Sequence, residues 1–99
     1  MVTIEDIAKA LEEVVAPYDV SAVYLFGSYA RGEQGPMSDV DIRLECGDGV
    51  DFGDLLDIQE QLEARLGRSV ELISNPLEFL RPAFRERVLR DEVLLYAAA

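Results

Sequence analysis

The stretch Val20-Ser21-Ala22-Val23-Tyr24-Leu25-Phe26 constrains the fold more than any other part of the chain. It is β-rich and largely apolar, which suits a central strand covered on both faces. The covering helices are legible on either side of it. Thr3 with Asp6 three residues on has the pattern of a capping box. Ile4, Ile7, Ala8, Leu11, Val14 and Val15 then fall on one helical face, and Pro17 ends the run. After the Gly47-Asp48-Gly49 turn, Phe52, Leu55, Leu56, Gln59, Leu62 and Leu66 mark a second amphipathic helix, closed by Gly67.

Further strands are expected where Val40, Ile42 and Leu44 alternate with Asp39, Asp41, Arg43 and Glu45, at Ser69 to Ser74, and at Val93 to Tyr96. Alternation predicts that the charged set of the first of these faces solvent. Glu33 to Met37 reads as loop, Leu77 to Arg90 as helix with Pro82 in its first turns, and Ala97-Ala98-Ala99 as a frayed tail. The order α-β-α-β-α-β-α-β implies an α/β (α+β) fold, a small mixed sheet of about four strands with helices packed on it. Ninety-nine residues suit a single domain, 1–99.

Composition removes several chemistries. The chain has no histidine and one cysteine, Cys46, so histidine-based nucleophilic catalysis, an internal disulfide and a cysteine-rich zinc site are all excluded. Carboxylates are left as the good metal ligands, and oxygen-only sites favour Mg²⁺ or Mn²⁺. A net charge of −11 opposes binding to a phosphate backbone, so direct nucleic-acid binding is not expected. No apolar run approaches the ~18 residues of a membrane span. The acidic start Met1 to Asp6 lacks the pattern of a signal peptide, which makes a cytoplasmic location the expectation.

Two local patterns carry chemistry. Asp39 and Asp41 are two apart on a strand, so their carboxylates project from one face roughly 7 Å apart. Such a pair gains from a neutralising cation. Glu71 is a third acid on a strand that could lie beside the first. Three carboxylates from two strands can hold the two metal ions of an in-line phosphoryl displacement. The second pattern is Gly27-Ser28, at the end of the apolar strand and the start of a short helical turn, Tyr29-Ala30-Arg31, closed by Gly32. Glycine permits close approach of an anion, while the Ser28 hydroxyl and free amides can donate to phosphate oxygens. Together they describe a phosphate cradle facing a metal site.

Gly27-Ser28, ten intervening residues and Asp39-Val40-Asp41 match the GS-x10-DxD signature of the DNA polymerase β-like nucleotidyltransferase superfamily. Gly27 to Glu33, Ser38 to Ile42 and the ending Arg85 to Tyr96 resemble its minimal nucleotidyltransferase (MNT) branch, so the likeness covers nearly the whole chain. The resemblance implies that Asp39 and Asp41 bind metal and that Gly27 and Ser28 bind the triphosphate. It also implies a third acid on the next strand, metal ligand and base for the acceptor hydroxyl. In the family that acid is aspartate; here the matching position holds Glu71, one methylene longer. Displacements near 1 Å can cost on the order of 100-fold in rate.

The same resemblance implies a partner, a HEPN-domain protein that is often an RNA-cleaving toxin, with the MNT protein acting as antitoxin by transferring AMP from ATP to toxin tyrosines. A binding module that neutralises its partner by occlusion, or a nucleotidyltransferase subunit with a small-molecule acceptor, stands as the alternative. Homo- and hetero-oligomers are both open. Arg31, just past the cradle, reads equally as a triphosphate contact and as a solvent-facing residue. Arg81, Arg85, Arg87 and Arg90 read first as a solvated helix face paired with Glu86 and Asp91, then as a docking surface. Phe79 and Phe84 read first as core and then as nucleobase stackers, and Tyr29, beside Ser28, is a candidate neighbour of the nucleotide that nothing in the sequence requires.

Overall fold

The computed structural model describes residues 2–36, 38–74 and 77–98; Met37, the last residue of the expected loop, and Ala99 lie outside them. The elements run α1 (Ile4–Val15), β1 (Val20–Phe26), α2 (Gly27–Arg31), β2 (Val40–Cys46), α3 (Phe52–Leu66), β3 (Val70–Ile73), a 3₁₀ turn (Leu77–Phe79), α4 (Pro82–Asp91) and β4 (Val93–Ala97). The sheet order is β3-β2-β1-β4. β1 pairs antiparallel with β2 and β4, and β2 runs parallel to β3. β1 is therefore interior to the sheet, as its apolar sequence requires.

Register sorts the side chains into two faces. Val23 lies opposite Leu44 and Leu25 opposite Ile42, and Val40 and Ile42 lie opposite Val70 and Leu72. This face forms the core with Ile7, Leu11, Val14 and Val15 of α1 and Ile58 and Leu62 of α3. Both helices start on reciprocal caps: the Asp6 amide donates to the Thr3 hydroxyl and the Asp54 amide to Asp51. On the other face, Phe26, Asp41 and Glu71 form one row across three strands, with Tyr24, Arg43 and Ile73 in the next.

Several expectations are corrected. Arg43 does not face solvent: it is 3% exposed, with two hydrogen bonds of 2.9 and 3.1 Å from Nη2 to Glu92, a third from Nη1 to Glu45, and Tyr24 under its guanidinium. The face that alternation assigns to water is covered by the C-terminal segment. The helix expected over Leu77 to Arg90 is divided, because Pro82 has no amide to donate and instead opens α4 in its first turn. Phe79, expected in the core, is 74% exposed on the 3₁₀ turn. In α3 the buried stripe runs through Ile58 and Leu62, leaving Phe52 and Leu56 exposed. Ile4 likewise lies outside the buried face of α1. Ala97 and Ala98 are tied down: Ala97 pairs with Ala22 in the sheet, and the Ala98 amide donates to the Ser21 carbonyl at 2.9 Å.

The Arg43–Glu92 pair joins β2 to the residue that leads into β4. Glu92→Ala leaves a buried guanidinium short of its main partner and should lower unfolding stability by about 3 kcal/mol in urea titration. Phe52→Ser, at a position 74% exposed, should change it by less than about 0.5 kcal/mol.

Candidate active site

β1 ends at Phe26 and the chain turns at once into α2, a turn made by Gly27 at φ 75°. Only glycine takes this conformation without strain, and a Cβ here would also run into the Asp41 carboxylate. Gly27 thus lets the Asp41 side chain lie directly against the backbone at the start of α2. Phe26 offers no side-chain cap to that helix start, so its first amides are not engaged by a capping residue. Ser28 is half-buried in the same turn, which Gly32 closes at φ 71°.

Register brings Asp41 of β2 beside Glu71 of β3, and their carboxyls come within hydrogen-bonding reach. Burial first of all, then the Glu71 contact and the charge of Asp39, push the Asp41 carboxyl up to about 6, with Arg31 opposing. Like charges this close disfavour ionisation of Asp41 unless a cation offsets them. Asp39 is exposed and precedes the first residue of β2, rather than lying in the strand as its spacing predicts. Of the three expected acids, the fold brings Asp41 and Glu71 to one cleft and leaves Asp39 outside its lining. Among the described residues no group of three acids is drawn close enough to hold a metal ion. The donor set nevertheless fits a hard divalent cation. It is all oxygen, its like charges crowd, and the missing Cβ of Gly27 makes the room that the Asp41 carboxylate occupies.

Asp41 and Glu71 line a cleft of about 210 Å³. Gly27, Arg31, Arg87 and Asp91 complete its polar side, while Phe26, Ile73, Phe84 and Val88 form an apolar wall. The Phe26 and Phe84 rings meet edge to face, with centroids 5.9 Å apart. Arg31 reaches the cleft but is held there: Nε donates to Glu33 at 2.6 Å and Nη1 to Asp91 at 3.2 Å. Tyr29 turns away into the core, 1% exposed, with its hydroxyl unpartnered among the described residues. A wider hollow of about 640 Å³, lined in part by Arg43, Glu45, Cys46 and Arg85, contains neither the acids of the DxD pattern nor Glu71.

The wall supplied by α4 has no motif of its own. Its signal is spacing: Phe84, Arg87, Val88 and Asp91 follow i, i+3, i+4, i+7 and so share one helix face.

The sequence profile described as "Polymerase beta, Nucleotidyltransferase" matches residues 5–99. A Methanocaldococcus jannaschii relative, provisionally named a protein adenylyltransferase, is 32% identical over 90 residues, which is 91% of this chain and 95% of that protein. The protein adenylyltransferase MntA of Thermococcus cleftensis is 33% identical over 97 residues, covering 94% of this chain and 96% of the relative. The crystal structure of a toxin–antitoxin with AMP-PNP contains a chain of the same fold. It aligns with TM-score 0.73 and 25% identity, over 98% of this chain and 75% of that one.

The raised Asp41 carboxyl makes a signed prediction for the metal-free protein. With a folded value of about 6 against 3.8 unfolded, the native state binds the proton more tightly. The penalty of ionising Asp41 is therefore fully present above pH 6 and is relieved as pH falls through 6 towards 4. Thermal melts from pH 7.5 to 5 should show the native protein gaining stability relative to Asp41→Asn. After allowance for solvent screening, the relative gain should be on the order of 1 kcal/mol.

Proposed function

The chain belongs to the polymerase β nucleotidyltransferase family, and on that premise we propose that it is a Mg²⁺-dependent protein adenylyltransferase, with residues 1–99 as one minimal nucleotidyltransferase domain. The observation that carries the reading is the contact of Asp41 with Glu71 directly beside the Gly27 cradle. In this reading Asp39, Asp41 and Glu71 hold divalent metal, two Mg²⁺ ions or Mn²⁺ in their place. Asp39, exposed just ahead of β2, would have to turn towards a bound ion to join Asp41 and Glu71. When bound, the metal offsets charge on the phosphates and on the attacking and leaving oxygens.

The remaining work falls to this chain's own groups. Gly27 lets the triphosphate approach the backbone, and the Ser28 hydroxyl donates to a phosphate oxygen. Arg31, fixed by Glu33 and Asp91, sets a guanidinium at the polar side of the cleft. Glu71 accepts the acceptor's hydroxyl proton as the acceptor oxygen bonds to the α-phosphorus. The bond from that phosphorus to the bridging oxygen breaks, and pyrophosphate leaves with its electron pair.

The acceptor is a tyrosine of a HEPN-domain partner, AMP comes from ATP, and the pair works as antitoxin and toxin in the cytoplasm. Support comes from the relative named MntA and from the likeness to a toxin–antitoxin chain solved with AMP-PNP. Among the described residues no helix is long and apolar enough to cross a membrane. A second reading, neutralisation by binding alone, is favoured by Asp39 standing off and by Glu71 in place of aspartate.

Mass spectrometry of the partner after incubation with ATP and Mg²⁺ separates these readings. The expected result is a gain of one or more AMP units, lost with Asp41→Ala or on chelation of the metal. Glu71→Gln should slow transfer about 10²- to 10³-fold while the protein stays folded. A stable complex without any transfer would leave the binding reading in place.

A further inference from the structure

A phosphate-binding cleft in a protein of net charge −11 has to present cations locally, or its substrate is repelled on approach. The chain has nine Lys and Arg residues, and four of them, Arg81, Arg85, Arg87 and Arg90, fall in or next to α4. Most cations elsewhere are committed. Arg43 is buried against Glu92 and Glu45, Arg65 pairs with Glu13, and Arg31 is shared between Glu33 and Asp91. Only Arg31 and Arg87 line the cleft that holds Asp41 and Glu71.

Arg87 differs from Arg31 in one decisive respect: it makes no ion pair among the described residues. Its guanidinium carbon stands 5.8 Å from the centre of the Phe84 ring, near the outer limit of a cation–π contact. The carboxylate one turn along the same helix face, Asp91, is occupied by Arg31 and approached by Arg90 at 3.6 Å. Arg87 therefore brings a guanidinium without an ion pair from α4 to the cleft that Gly27 also lines. A planar guanidinium with free donors matches phosphate oxygens, which it can bind through two parallel hydrogen bonds.

We propose that Arg87 is a nucleotide-binding residue, donating from α4 to the phosphates of a triphosphate bound in the cleft that Gly27, Asp41 and Glu71 line. The assignment rests on the nucleotidyltransferase reading of the cleft. It gives α4 a direct part in binding: the helix supplies apolar wall through Phe84 and Val88 and an unpaired cation through Arg87. Arg31, held on two carboxylates, is the fixed cation.

Arg85 is the natural control, because it carries the same charge two residues away yet lines the other hollow. Affinity for a non-hydrolysable ATP analogue with Mg²⁺ is measured by titration calorimetry on the native chain, Arg87→Ala, Arg87→Lys and Arg85→Ala. Arg87→Ala should bind about tenfold more weakly, the loss expected for one charge-assisted hydrogen bond. Arg87→Lys should recover part of the loss, and Arg85→Ala should stay within about twofold of native, with melting temperatures unchanged. In turnover, Arg87→Ala should raise KM for ATP by a similar factor and leave kcat nearly constant. Equal affinity in native and Arg87→Ala protein overturns the assignment, and so does an equal loss in Arg85→Ala, which would mark a general charge effect. A native chain that binds the analogue but modifies no acceptor overturns the transferase reading and leaves the Arg87 contact intact. Failure of the native chain to bind the analogue overturns both.

Discussion

Two carboxyl groups set side by side on neighbouring strands are an arrangement that folding by itself opposes. Asp41 and Glu71 meet because β2 and β3 are parallel and in register at that row, and Phe26 continues the row into β1. Gly27, the next residue, leaves the volume that the Asp41 carboxylate occupies. The cost appears as an Asp41 carboxyl raised to about 6. A pair of acids held together against their repulsion is preorganised for positive charge, since a cation entering between them meets ligands already in place.

The rest of the architecture keeps that row rigid while leaving it open on one side. The opposite face of the sheet is sealed by α1 and α3, whose Ile7, Leu11, Ile58 and Leu62 are fully buried. On the functional face Arg43 is the tie. Its pair with Glu92 fixes the junction of α4 and β4, and so the position of the helix that walls the cleft. One arginine two residues beyond Asp41 thereby couples strand register to cleft shape. Asp91, next to Glu92, holds Arg31 in turn, so α4 is linked to both sides of the site through adjacent acids.

Much of this was legible in the sequence where a single local rule governs the outcome. The Thr3–Asp6 cap, the β1 run, the left-handed glycines at 32 and 67 and the closing strand all stand where pattern places them. Pattern failed where a distant segment decides. Alternation cannot reveal that Glu92 returns to bury Arg43. The periodic stripe on α3 includes Leu62, which is buried, but it also takes in the exposed Phe52 and Leu56 and passes over Ile58, since period alone does not fix the edge of the face that meets the sheet. The alanine tail carries no packing signal, yet β1 has a free edge there to pair with. In the candidate site, Gly27, Arg31, Asp41 and Glu71 were visible as residue types at telling positions. Phe84, Arg87 and Asp91 were noticed but read as core or as a solvated face, whereas with Val88 they line the cleft, because a helix face becomes a cleft wall only once its neighbours in the fold are known.

The central claim is that Asp41 and Glu71 form, with the Gly27 turn, one site for metal and triphosphate. Crystals grown with Mn²⁺ and a non-hydrolysable ATP analogue test it directly through anomalous scattering. The account predicts a manganese peak between the Asp41 and Glu71 carboxylates, with Asp39 turned in to share it and the phosphates lying along Gly27 and Ser28. Nucleotide bound instead in the wider hollow beside Arg43 and Arg85, or phosphates at the turn with no metal on Asp41, would contradict it.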